Sequence, residues 1–279
     1  VESILLTRDA CRRSQRRNTL TENDLGLFRQ WFSNFCRSFH SDNADDQKNI
    51  ILKEKHTFNV CEIMRQLAEG LSLNHNETLV AESIALFHDI GRFPQYAKYK
   101  TFRDSVSVNH GLLGAETLVE NNVLKDLPAD ECELIIESVK FHNAFSVPVK
   151  ERKEIETFIR LIRDADKLDI WRVFLDYFKG PLEDRASAIT LGLSDTPEYS
   201  QEVLEHICRR ETAPHLHVKT VNDFKILQLS WVFDLNFAPS FRILSERDYI
   251  TKLASLLPRT EEIRQAVTLV KEFVRLRVN

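Results

Sequence analysis

The sequence contains nine histidines in 279 residues, and the informative fact is where they fall among the apolar residues. His56 lines up with Val60, Ile63 and Leu67 at intervals of four, three and four, so on a helix it points toward the core. Leu79, Ile84, Ala85 and Phe87 lead straight into His88-Asp89, after which Gly91 is expected to end the helix. His110 shares a register with Gly114 and Leu118. His142 extends the stripe of Cys132, Ile135 and Val139, and Asp166 falls within the series Ile155, Ile159, Ile162, Ile170, Val173. Each polar residue takes a slot that the pattern reserves for hydrocarbon. One such histidine is ordinarily a hydrogen-bonded core residue. The set His56, His88, Asp89, His110, His142 and Asp166 is different, because burying carboxylates and imidazoles together without a cation is costly for every charged group. One or two shared divalent ions remove that cost. Imidazole with carboxylate suits iron, manganese, cobalt, nickel or zinc.

The same residues, taken in order, form a pattern that resembles the HD-domain superfamily of metal-dependent phosphohydrolases. KHTFNV is similar to that family's first histidine helix, and FHDIGRF to its His-Asp motif with the following glycine. VNHG and KFHN resemble two additional histidine sites, and RDADKLDI the closing aspartate motif. The resemblance covers roughly residues 48–175. It implies an all-α, HD-domain-like helical bundle with a two-metal site. Asp89 would bridge the ions, His56, His88 and Asp166 would hold one, and His110 and His142 the other. A water activated between them would hydrolyse a phosphate ester. In the closing motif Asp166 matches the A-D-K/R-L position. Asp164 is two residues off the stripe and is expected to face away, and Asp169, one turn on, to support the ligands.

Between the His-Asp pair and His110 lie Arg92, Lys98, Lys100 and Arg103, interleaved with Phe93, Tyr96, Tyr99 and Phe102. Beside a metal centre this segment could clamp phosphate and stack a base, although the same composition suits a solvated loop. Arg92 follows the metal pair directly and is the first candidate for a catalytic cation next to Asp89; Lys167, beside Asp166, is the second. The expected substrate is a small phosphorylated metabolite, with a nucleotide the favoured class. Two other readings share the ligand set: a di-iron oxygenase, and a non-catalytic nucleotide-binding regulatory module. His40, His75, His206, His215 and His217 sit in polar or turn-like contexts and are read as surface residues.

Positioning those groups requires helices. Only 7 glycines and 8 prolines occur, alternating strand patterns are not evident, and apolar residues recur at helical spacing. Residues 22–39 carry Leu25, Phe28, Trp31, Phe32, Phe35 and Phe39 behind a Thr21–Asp24 capping box, a signal repeated at Asn74–Glu77 and Thr220–Asp223. Pro128, Pro197 and Pro258 are expected to open helices, and Phe224 to Phe241 to form a core helix or subunit contact. The organisation expected is an N-terminal helical extension over 1–45, a metal-binding core over 46–180, and a C-terminal helical subdomain over 181–279 packed on it. A net charge of -4 argues against a dedicated nucleic-acid or polybasic membrane binder, and Arg8, Arg12, Arg13, Arg16 and Arg17 read as a solvated terminus. No apolar run nears the ~20 residues of a membrane span. Five scattered cysteines fit a reducing cytoplasm rather than a disulfide framework. The sequence leaves the oligomeric state open, a homodimer included.

Overall fold

The computed structural model describes residues 19–181, 183 and 185–278; the N-terminal arginine run and Cys11 lie outside them. The described chain is helical, with a lone bridge between Ser194 and Thr220 in place of any strand. It divides into two compact units between Ala165 and Asp166.

In the first unit, α1 spans Glu22–Arg37 and starts at the expected Thr21–Asp24 capping box. It buries Leu25, Phe28, Phe32 and Cys36 and stops before Phe39. The helix α2, Ala44–Gly70, is capped by Asn43 and buries His56 in line with Val60, Ile63 and Leu67. Next come α3, His75–Phe87, behind the Asn74–Glu77 capping box, and α4, Arg92–Tyr99. They are followed by α5, His110–Glu120, and α6, Ala129–Phe141, for which Pro128 is the N-cap. The long helix that carries the unit boundary, α7, runs over Lys153–Lys179, and Gly180-Pro181 follows it. Helix α3 packs against α1, α2 and α6, and α5 packs against α4 and α6. Glu82 of α3, almost buried, ties three helices together by accepting from Arg29 Nη2 of α1 at 2.6 Å and Arg65 Nε of α2 at 3.1 Å. A carboxylate at that depth needs such partners to offset its lost hydration.

Gly91 does not end a helix as the sequence suggests. Helix α3 stops at Phe87, where the chain tightens so that Ile90 N–H donates to Phe87 O at 3.1 Å, and Gly91 is the N-cap of α4. Its smallness serves packing: a Cβ there would lie 2.6 Å from Gly114 N on α5 and closer still to the carbonyl of His110.

In the second unit, α8 spans Gln201–Cys208, α9 Val221–Ser230, α10 Ala238–Glu246, α11 Tyr249–Ala254 and α12 Glu261–Val278. Helix α9 opens with the Thr220–Asp223 capping box and is buried along its whole length. The stretch Phe224–Phe241 is not the single helix expected. A 3-10 turn at Trp231–Asp234 breaks it, and α10 begins with Pro239 in its first turn, where the missing N–H does no harm. Pro197 and Pro258 likewise precede their helices rather than open them, since α8 starts at Gln201 and α12 at Glu261. Among the described residues no helix is long and apolar enough to cross a membrane.

Candidate metal centre

Two helix ends in the first unit are built alike. Helix α3 closes with Phe87-His88-Asp89 and α6 with Phe141-His142-Asn143, each histidine at the C-cap position. A helix C-terminus leaves carbonyls without intrahelical donors. The His88 Nδ1–H donates to Ala85 O at 2.7 Å and the His142 Nδ1–H to Val139 O at 2.7 Å. Those bonds fix the tautomer, so Nε2 of each ring carries the lone pair and is aimed inward. His110, the first residue of α5, reaches the same tautomer by donating Nδ1–H to Asp104 Oδ2 at 2.6 Å.

These rings converge on Asp89, which is 3 % exposed. Its two oxygens face different pairs. Oδ2 lies 3.5 Å from His56 Nε2 and 3.7 Å from His88 Nε2, whereas Oδ1 lies 3.4 Å from His110 Nε2 and 3.8 Å from His142 Nε2. Two groups of potential ligands therefore share one carboxylate: His56, His88 and Asp89, and Asp89, His110 and His142. Within each, the ligand atoms lie within 4.8 Å of one another, and all are buried.

The donor set fits divalent ions on a specific observation. His110 Nε2 and His142 Nε2 are 3.0 Å apart, and both rings have already donated from Nδ1, to groups that only accept. Two lone pairs so placed repel unless a cation lies between them. Metal–imidazole bonds of ~2.0–2.1 Å put two nitrogens on one ion about 3 Å apart when they meet near a right angle. His56 Nε2 and His88 Nε2 lie 3.4 Å apart. Among the described residues no other group of three such donors comes together, and His215 and His217 lie on a 3-10 turn of the second unit.

Cations and a second carboxylate surround the ligands. Lys53, one turn before His56 on α2, places Nζ 2.7 Å from Asp89 Oδ2, and Arg92 Nε is 3.4 Å from Oδ1. Burial alone would raise the Asp89 carboxyl, but Lys53, His88, Arg92 and His110 outweigh it and hold it well below the usual carboxylate range. Asp104 behaves similarly: burial opposes ionisation, and the His110 hydrogen bond with the nearby Arg92 charge lowers its pKa nonetheless. The His110 imidazole is pushed below its ordinary value by burial and by Arg92, despite the opposing pull of Asp104 and Asp89, so it favours the neutral, ligating form.

The sequence reading missed Lys53, Asp104 and Asn143. Only Lys53 carried a signal, its spacing of three from His56. Of the basic residues proposed for substrate, Arg92 is beside Asp89, with Nη1 donating to Asp104 Oδ1 at 2.8 Å, Gln95 Oε1 at 2.9 Å and Phe102 O at 2.5 Å. The others have partners of their own: Lys98 lies over the Tyr99 ring, Lys100 pairs with Asp46 at 2.6 Å, and Arg103 Nε donates to Ser105 Oγ at 3.1 Å.

The closing motif lies within α7. Asp164 is fully buried, against the expectation that it faces away, and its neighbours Leu161, Ile162, Arg163 and Ala165 are buried as well. Asp166, the first residue of the second unit, is half-buried and outside both ligand groups. In that unit Asp169 is buried and bound by Arg172, with Nε to Oδ1 at 2.7 Å, and Lys167 pairs with Asp234 at 2.8 Å. The assignment of Asp166 as a ligand rests on its A-D-K-L motif.

No curated protein and no solved structure gives a significant match to the chain. A family model does match, and it covers every residue of both ligand groups as well as Asp166. Residues 54–171 match the family model of the HD domain, a similarity consistent with the HD-domain superfamily of metal-dependent phosphohydrolases.

Proposed function

We propose that the chain is a metal-dependent phosphohydrolase acting on a phosphate ester of a small metabolite, a nucleotide being the favoured class, at a binuclear site. The observation that carries this reading is the single buried carboxylate of Asp89, each oxygen facing its own imidazole pair. His56 and His88 would hold one ion and His110 and His142 the other, with Asp89 common to both. Bound there, divalent transition metals supply Lewis acidity toward water and toward phosphoryl oxygens. The chain's own groups do the rest. Ala85 O, Val139 O and Asp104 hold the imidazole tautomers, and burial excludes bulk water from Asp89. Lys53 and Arg92 place positive charge where a phosphate dianion would approach. Lys98, Lys100 and Arg103 would meet the remainder of the substrate from outside this shell.

Incubating the Mn- or Fe-loaded chain with a panel of nucleotides and sugar phosphates, and measuring released phosphate, tests the reading. Turnover that disappears on chelation and in His88→Ala is expected. Failure to hydrolyse any phosphoester with both ions bound would overturn it. Oxygen uptake with a mixed-valent iron signal would favour the di-iron oxygenase instead.

A further inference from the structure

Each oxygen of Asp104 has a distinct duty. Oδ2 accepts the His110 Nδ1–H at 2.6 Å and Asn143 Nδ2 at 3.0 Å, and lies 3.4 Å from the His110 backbone N. Oδ1 accepts Arg92 Nη1 at 2.8 Å and Gln95 Nε2 at 2.9 Å. Gln95 is itself fully buried and donates also to Val108 O and Ser107 Oγ. The carboxylate is thus clamped from α4, from the first residue of α5 and from the residue after His142. His88 and His142, by contrast, donate their Nδ1–H to the neutral carbonyls of Ala85 and Val139.

We infer that Asp104 is a positioning residue that sets the metal affinity of the His110–His142 half-site independently of the His56–His88 half-site. The physical ground is general: an anionic acceptor behind a ligating imidazole fixes the ring and raises the basicity of its other nitrogen, and losing such a partner typically weakens metal binding ~10–100-fold. The same carboxylate holds Arg92 at 3.4 Å from Asp89 Oδ1, so it also keeps that guanidinium from turning toward the imidazole pair. The inference rests on the proposed binuclear centre but not on the identity of the substrate.

The experiment is equilibrium dialysis of the full chain with Mn²⁺ alone, with electron paramagnetic resonance to distinguish coupled from isolated ions. The wild type should bind two ions with a spin-coupled signal. Asp104→Ala should keep the first ion at unchanged affinity and weaken the second by ~10–100-fold, replacing the coupled signal by an isolated one. Asp104→Asn, which keeps an acceptor but not the charge, should fall between, and Asp104→Glu should restore most of the loss. In a His110→Gln background Asp104→Asn should have no further effect on either ion. Equal weakening of both ions would mark a general structural role and overturn the inference, as would an unchanged second ion. A wild type that binds no Mn²⁺ would overturn the binuclear reading itself, a result separable from either. Should the alanine variant not fold, the Asn and Glu variants give the same ordering.

Discussion

Removing the charge of Asp89 should unbalance the centre even before any metal is considered. In Asp89→Asn the shape is kept, but the Lys53 ammonium, 2.7 Å away and with its side chain only 15 % exposed, loses its counter-charge. A unit ion pair at that distance attracts by about 6 kcal/mol at an effective dielectric near 20. Desolvation offsets part of this, and breaking a buried pair from one side costs about 3–5 kcal/mol. Chelator-treated Asp89→Asn should therefore unfold in urea with a stability about 3 kcal/mol below the chelator-treated parent. Adding Lys53→Met removes the stranded cation and should recover about half of that loss, because contacting charges couple strongly. Metal binding should vanish in both variants. A single variant as stable as the parent, or a double variant whose losses simply add, would refute the idea that Lys53 and Asp89 neutralise each other in the folded chain.

Other outcomes follow from the same geometry. Gly91→Ala forces a Cβ to within 2.6 Å of Gly114 N, a backbone atom with little room to yield, so denaturant titration should show a loss of about 3 kcal/mol. Arg163, 6 % exposed, donates to the carbonyls of His142 and Ala144. Arg163→Ala should lower stability by about 2 kcal/mol and raise hydrogen exchange over residues 143–146. Because the folded chain depresses the His110 pKa below its ordinary 6.5, the unfolded chain binds the extra proton first. The His110 contribution is thus complete above pH 6.5 and shrinks as pH falls toward the lower folded value. A pH series of urea melts on chelated protein should show that slope, and His110→Gln should flatten it. Metal retention should decline in the same direction, since protons compete for Nε2.

The convergence of His56, His88, Asp89, His110 and His142 was legible because a helix converts spacing into direction. His56 shares its face with Val60, Ile63 and Leu67, all buried, and an imidazole in that series has nowhere else to point. The capping boxes at Thr21, Asn74 and Thr220 were readable for a similar reason, being short-range bonds written in adjacent residues. Asp104 gave no such signal. It belongs to a short irregular segment whose geometry is set by contacts from α4 and from Asn143, which no local pattern encodes. Gly91 was misread because a turn and a close backbone approach call for the same residue. Asp164 was misjudged because the stripe on α7 was assumed narrow, whereas consecutive residues around it are all covered. The break at Trp231–Asp234 eluded a pattern that stays apolar across the interruption.

The paired placement of His88 and His142 at helix C-caps has a kinetic corollary. Terminal turns are the parts of a helix that fray first, and here each terminal turn ends in a ring pinned by its own carbonyl. Ion occupancy would therefore register as slowed amide exchange in the last turns of α3 and α6, while mid-helix amides stay indifferent. Those two peptide segments become a built-in gauge of cofactor loading, readable by mass spectrometry without any substrate in hand.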